Sequence, residues 1–86
     1  MSTTAAEHGV EERVHRIFVD QLQLDVQADT DVITTGLLDS LAFVQLLIEL
    51  EREFGLKVDV ATLELDDFSS VSQIARFVSA TRNGAP

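Results

Sequence analysis

The stretch Gly36-Leu37-Leu38-Asp39-Ser40-Leu41 lies directly before a strong, long helical pattern. A serine at a helix start lies at the positive end of the helix dipole, beside backbone N–H groups that have no partner inside the helix. Such a position tolerates a phosphate group. Ser40 is therefore the first candidate functional residue.

The chain offers Ser40 no base that would make it a catalytic nucleophile. Its two histidines, His8 and His15, both lie in the N-terminal segment, and it has no cysteine. Nucleophilic catalysis normally needs a base within hydrogen-bond reach, so we expect Ser40 to be acted upon by another enzyme and the chain not to be an enzyme itself. Two histidines without a third ligand also make a poor metal site. We expect both to be exposed surface residues.

The segment Ser40–Phe54 predicts a helix that Gly55 ends. At about 100° per residue, its apolar side chains fall on two sides. The expected core face consists of Phe43, Leu46, Leu47, Leu50 and Phe54. The opposite side, called the outer strip below, consists of Leu41, Val44 and Ile48. Either loops or the short helix cover this strip, or it stays partly exposed as a docking surface for partner enzymes, with acids such as Glu49 at its rim.

Two further helices flank this one. Apolar residues at helical spacing predict a first helix from Thr4 or Glu7 to Leu22, with Thr4 and Glu7 as a capping box. Ser70 and Gln73 form a second capping box, which opens a last helix. The expected core face of that last helix is Val71, Ile74, Ala75 and Val78.

The connections differ in length and character. Residues 25–38 show no sustained period and predict a long loop. Its apolar side chains are expected to hold it on the core: Val32, Ile33, Leu37 and Leu38. A short helical turn is predicted within Val58–Leu65, and residues 82–86 should fray.

The loop acids have no pattern typical of a metal site. Asp25, Asp29 and Asp31 lack the glycine and terminal glutamate of an EF-hand loop, so we expect solvated turn residues. Asp66 and Asp67 are expected at the entrance to the last helix, where negative charge is favourable.

Length and composition indicate the number of domains and their class. The 86 residues, 45% of them hydrophobic, predict a single globular domain, 1–86, with an ordered core of about residues 7–81. The predicted fold class is all-α, a small four-helix bundle of three long helices and one short one, with a long loop between helices 1 and 2.

The net charge of the chain indicates which classes of partner it can bind. A formal net charge of -9 repels nucleic acids and anionic membranes and favours partners with basic patches. The sequence has no apolar run of membrane-spanning length and begins without the pattern of a signal peptide. We therefore expect a cytoplasmic protein, without stable membrane insertion, that works as a monomer.

These features resemble those of acyl carrier proteins: Asp39-Ser40-Leu41 before an acid-containing amphipathic helix, in an acidic all-helical domain. The resemblance covers nearly the whole chain. It implies that a phosphopantetheinyl transferase attaches 4'-phosphopantetheine from coenzyme A to Ser40, and that the terminal thiol carries an acyl or aminoacyl group as a thioester. It also implies that Asp39 helps the transferase position its metal and coenzyme A. Asp39 could equally be only the helix N-cap.

The subtype follows from the wider motif. Gly36-Leu37-Leu38-Asp39-Ser40, together with Val44-Gln45-Leu46-Leu47 and Phe54-Gly55, is similar to free-standing D-alanyl and related aminoacyl carrier proteins. This implies an aminoacyl cargo, an adenylating or ligase loading enzyme, and downstream acyl- or aminoacyl-transferring enzymes. D-alanyl carriers commonly have a tryptophan near the third helix, where this chain offers Phe68. We therefore expect a small-molecule, or secondary-metabolite, pathway.

Two alternatives remain open. Fatty-acid and polyketide carrier proteins share the same core motif. In an alternative of another class, the chain is an unmodified helical adaptor in which Ser40 is merely a cap and the outer strip is a permanent protein-binding face.

Overall fold

The computed structural model describes the backbone of residues 2–82 and the side chains of residues 9–81. Every regular element in this part of the chain is helical. Helix α1, Ser2–Arg16, continues into a π-helical turn, Ile17–Gln21; the remaining elements are helix α2, Ser40–Phe54, a short 3-10 helix, Leu65–Phe68, and helix α3, Val71–Arg82. The all-α prediction, with three longer helices and one short one, is confirmed.

The first helix begins earlier than expected and ends in a widened turn. It starts at Ser2, ahead of the expected cap Thr4, and the side chains that would form that capping box lie outside the described ones. At the other end, the N–H of Leu22 donates to the carbonyl of Ile17 at 3.1 Å, a bond across five residues. The predicted end near Leu22 is thus one residue beyond the last helical residue, with π geometry that the periodicity did not predict.

Helix α2 has the predicted bounds. Gly55 ends it in the left-handed conformation, with φ of 66°, and its N–H donates to the carbonyl of Glu51 at 2.9 Å. Glycine adopts this conformation without the steric cost that a Cβ would bring. Gly55 therefore ends α2, as the sequence predicted.

The short helix lies later than predicted. It spans Leu65–Phe68, whereas Val58–Leu65 was expected, because Asp59 organises a turn in its place. The Oδ1 atom of Asp59 accepts the N–H of Ala61 at 3.1 Å, and its carbonyl accepts the N–H of Thr62 at 3.2 Å. These local bonds compete with helix formation.

Two expectations about the start of α3 have different outcomes. Asp66 and Asp67 lie inside the short helix, so the prediction that they stand at the entrance to α3 is wrong. Ser70 does cap α3, because its hydroxyl oxygen accepts the N–H of Gln73 at 3.2 Å. That half of the predicted capping box is confirmed.

One hydrophobic cluster joins α1, the long loop, α2, the short helix and α3. Fully buried members from successive elements are Val14, Phe18, Val32, Leu46, Leu50, Phe68, Val71, Ile74 and Val78. The predicted core face of α2 is correct, with Leu46 and Leu50 fully buried and Phe43, Leu47 and Phe54 packed at its edge. In the long loop Val32 and Leu38 are buried, but Leu37 is 41% exposed and does not hold the loop on the core.

His15 is not the surface residue that the sequence suggested. It is half-buried, and its Nε2 atom lies 2.8 Å from the carbonyl oxygen of Val26. The ring thereby links α1 to the long loop. The side chain of His8 lies outside the described ones.

The described residues contain neither a candidate metal site nor a candidate membrane span. No group of three or more metal-ligating side chains among them could hold a metal ion. Within the same part of the chain, no helix combines the length and the apolar character needed to cross a membrane.

Candidate functional site

The candidate site lies at the start of α2, where Asp39 caps the helix. Its Oδ1 atom accepts the N–H of Ala42 at 2.9 Å, and its carbonyl accepts the N–H of Phe43 at 2.8 Å. Ser40 is the next residue, the first of the helix, and it is exposed. The side chain of Asp39 therefore satisfies one of the unpaired helix-start donors, while the hydroxyl of Ser40 lies at the surface.

The segment that leads into this site is bonded to the bundle at Val32 and closed on itself by a second bond. The N–H of Val32 donates to the carbonyl of Ser69 at 2.8 Å, just before α3. The carbonyl of Val32 in turn accepts the N–H of Leu38 at 2.9 Å. Residues 33–37, called the excursion below, thus form a short loop closed at its base. The chain leaves this loop directly into the helix cap.

The outer strip remains exposed, because neither the loops nor the short helix covers it. Leu41 is 81% exposed, Val44 52% and Ile48 48%. Exposed large apolar side chains on one helix face are typical of a protein-binding surface. The strip begins at the residue directly after Ser40.

Glu49 is placed differently from the rest of the predicted docking residues. Its side chain is only 17% exposed, and its carboxylate lies 3.6 Å from the guanidinium of Arg52. It lines a groove together with Arg13 of α1 and Ile17 of the π-helical turn. Its charge is thus partly balanced by a neighbour, on the side of α2 that faces α1.

An aromatic cluster packs the start of α2 against the short helix and α3. Phe43, three residues after Ser40, meets Phe68 edge to face, with ring centroids 5.5 Å apart and an interplanar angle of 83°. Phe68 also meets Phe77 of α3, at 4.9 Å and 50°. These pairs join the site helix to the short helix and to α3.

The predicted loop acids are all exposed: Asp25, Asp29 and Asp31. Nothing in the structure brings them together with Asp39 and Ser40 as one site.

The role of His15 as a link between α1 and the loop was missed, because a side-chain bond to a distant carbonyl leaves no periodic signal in a sequence.

Comparison with known proteins agrees with this geometry. Residues 12–78 match the family described as "Phosphopantetheine attachment site". The chain is also 37% identical over 71 residues to the D-alanyl carrier proteins of Streptococcus pyogenes serotype M5 (strain Manfredo), serotype M49 (strain NZ131) and serotype M1. Each alignment covers 80% of this chain and 90% of the relative. The chain therefore belongs to the phosphopantetheine-binding carrier proteins, which are not catalysts and which depend on a phosphopantetheinyl transferase and on loading enzymes.

Proposed function

We propose that residues 1–86 form a single, free-standing, monomeric carrier domain that holds an aminoacyl group on 4'-phosphopantetheine attached to Ser40. It would deliver this group between enzymes of a small-molecule pathway in the cytoplasm, where coenzyme A is available. The observation that carries the proposal is the exposed Ser40 directly after the capped helix start. When attached, the group supplies a terminal thiol for a thioester, in a chain that has no cysteine.

The attachment step needs a partner enzyme because the site contains no base. The Oγ atom of Ser40 forms a bond to the phosphorus atom that carries the pantetheine part of coenzyme A. The bond between this phosphorus and the bridging oxygen of the pyrophosphate breaks, and 3',5'-ADP leaves. The hydroxyl proton passes to a base of the transferase. An exposed hydroxyl at a helix N-terminus fits this role, since the positive end of the helix favours the phosphate.

Two observations support an aminoacyl cargo over a long acyl chain. The relatives named above are D-alanyl carrier proteins. In addition, the fully buried ring of Phe68 in the short helix meets Phe43 of α2 and Phe77 of α3. A long acyl chain that entered this part of the interior would have to displace packed rings. A small polar cargo at the tip of the arm needs no such space.

The test of this proposal is to isolate the loaded protein from its source and to weigh the compound released from its thioester. An amino acid or an amino-acid derivative would support the proposal. A fatty or polyketide acid would instead support the alternative of a fatty-acid or polyketide carrier protein. A protein that never carries phosphopantetheine would support the unmodified adaptor, which the exposed outer strip also fits.

Asp39 is proposed to serve the transferase in addition to capping α2. Asp39→Asn separates the two roles, because an amide oxygen still accepts the N–H of Ala42 while the negative charge is lost. We expect the melting temperature to change little, and kcat/KM for attachment of phosphopantetheine to fall about tenfold, as for the loss of one charged contact. The measurements are thermal unfolding followed by circular dichroism and a time course of protein mass.

The matched control is Asp59→Asn, which removes an equal charge from another Asp that organises a turn. This variant should be modified at the normal rate. An Asp39→Asn protein with unchanged kcat/KM would restrict Asp39 to its role as a helix cap.

The outer strip is proposed to dock the transferase and the loading and downstream enzymes, with Glu49 at its edge. A small apolar contact surface suits a carrier that must dissociate after each transfer. Partner surfaces with basic patches fit the formal net charge of -9.

Ile48→Arg tests the docking proposal. Ile48 is 48% exposed, so we expect the free energy of unfolding to change by about 0.5 kcal/mol or less. The rate of loading by the partner enzyme should fall about tenfold, because an arginine places unmatched charge in an apolar contact. The two measurements are urea denaturation and the loading rate of the phosphopantetheinylated protein.

Val19→Arg is the matched control. Val19 is 40% exposed and lies in the π-helical turn, outside the outer strip, and the variant changes the net charge by the same amount. Normal loading of the Ile48→Arg protein would contradict docking through the strip. Unfolding of that protein would contradict the expectation that Ile48 can be replaced with little change in stability.

A further inference from the structure

Asp31 stands directly before the excursion and organises it through one carboxylate oxygen. The Oδ1 atom accepts the N–H groups of both Ile33 and Thr34, each at 3.0 Å. The backbone carbonyl of Asp31 also accepts a hydrogen bond from the hydroxyl of Thr35. Three successive residues of the excursion are thereby bonded to Asp31.

The far side of the excursion is closed by Gly36. Its N–H donates to the carbonyl of Ile33 at 3.1 Å, and its φ is 78°. A residue with a Cβ would be strained in this conformation. The N–H of Leu38 also donates to the carbonyl of Val32 at the base. Together, the turn and this bond fix the backbone conformation in which the excursion leads into α2.

The ionisation of Asp31 agrees with its role as an acceptor. Hydrogen bonds from the N–H and the hydroxyl of Thr34 lower the pKa of the Asp31 carboxyl below its ordinary value; burial opposes this shift, and the N–H of Ile33 adds to it. Hydrogen bonds donated to a carboxylate favour its charged form. The charged form is also the one that accepts both backbone N–H groups best.

The position of Asp31 limits what its loss can disturb. Its side chain is exposed, and its carboxylate accepts N–H groups that lie only two and three residues away. The core is formed by other residues, which include the buried Val32 and Leu38 on either side of the excursion. Removal of the carboxylate should therefore loosen residues 33–37 without opening the bundle.

We propose that Asp31 is a positioning residue for the modification of Ser40. By holding residues 33–37 in one conformation, it presents Ser40 and the exposed residues before it to the transferase as a single fixed surface. The proposal rests on the function proposed above. If the excursion is ordered in only a fraction of the molecules, the apparent affinity of the transferase falls to that fraction of its full value. The loss should therefore appear in KM and not in kcat.

The test compares Asp31→Ala, Asp31→Asn and Asp29→Ala with the unchanged protein. The first variant removes the acceptor, and the second keeps an oxygen acceptor but removes the charge. The third removes the charge of a neighbouring exposed loop acid that receives no such bonds from the excursion. Each 86-residue apo protein is incubated with coenzyme A, Mg²⁺ and a broad-specificity phosphopantetheinyl transferase, and KM and kcat are measured separately.

We expect KM to rise about 5- to 10-fold for Asp31→Ala, a loss typical of a removed side-chain cap, with kcat within about twofold. Asp31→Asn should restore KM to within about threefold, and Asp29→Ala should match the unchanged protein. A second readout does not depend on the transferase: NMR order parameters of residues 33–37 should fall in Asp31→Ala, while those of α2 stay as they are.

Several outcomes would overturn the inference. They are an unchanged KM for Asp31→Ala, an equal rise for Asp29→Ala, a failure of Asp31→Asn to restore KM, and order parameters that do not change. If the unchanged protein takes up no phosphopantetheine at all, the proposed function itself is wrong. If the unchanged protein is modified and Asp31→Ala is modified equally well, only the inference about Asp31 is wrong.

Discussion

Ser40→Ala is expected to abolish attachment of phosphopantetheine completely, while the protein remains as stable as before. The serine hydroxyl is the atom that would form the new bond, and alanine has no substitute for it. The helix start does not depend on this side chain, because Asp39 supplies the cap through its bond to the N–H of Ala42. We therefore expect the free energy of unfolding to change by about 0.5 kcal/mol or less.

Intact-protein mass spectrometry after incubation with the transferase and coenzyme A measures the effect. Ser79→Ala is a suitable control, because it removes a serine hydroxyl from α3 and should leave attachment normal. A mass increase that survives in Ser40→Ala would contradict the assignment. A large loss of stability in that variant would show that the serine also has a structural role.

Phe68→Ala is expected to have the largest effect on stability. Phe68 is fully buried and contacts both Phe43 and Phe77. Replacement of a buried phenylalanine by alanine costs about 3–5 kcal/mol, since it removes apolar contacts and leaves a cavity. The whole stability of a small domain is about 5–15 kcal/mol, so much of it should be lost.

Urea denaturation followed by circular dichroism measures this change. Leu65→Ala is the matched control within the same short helix, because Leu65 is 54% exposed and its loss should cost much less. If Phe68→Ala fails to fold, Phe68→Leu keeps most of the apolar volume and should give a smaller, measurable destabilisation. Equal effects of Phe68→Leu and Leu65→Ala would contradict the central packing role of the aromatic cluster.

Much of the fold follows from local sequence signals. Ser40–Phe54 was predicted with correct bounds, because its apolar period, Asp39 before it and Gly55 after it all indicate the same helix. The cap at Ser70 is predictable for the same reason. Ser40 and Asp39 stand out as candidates because a helix-start serine without a base is an informative combination.

The rest depends on contacts between distant residues or on competing turns. The short helix was placed too early because the turn at Asp59 takes the place of a helix there. The π-helical turn and the link from His15 to Val26 are tertiary features with no periodic signal. The exposure of the outer strip also needed the structure, because the sequence fits both a covered and an uncovered strip.

The most direct measurement maps the modification on the unchanged chain. The apo protein is incubated with coenzyme A, Mg²⁺ and a phosphopantetheinyl transferase, and then digested and analysed by tandem mass spectrometry. We expect a single phosphopantetheine group on the peptide that contains Ser40, with fragment ions that assign it to this residue. No addition, or an addition to any other residue, would contradict the proposal that Ser40 carries the prosthetic group.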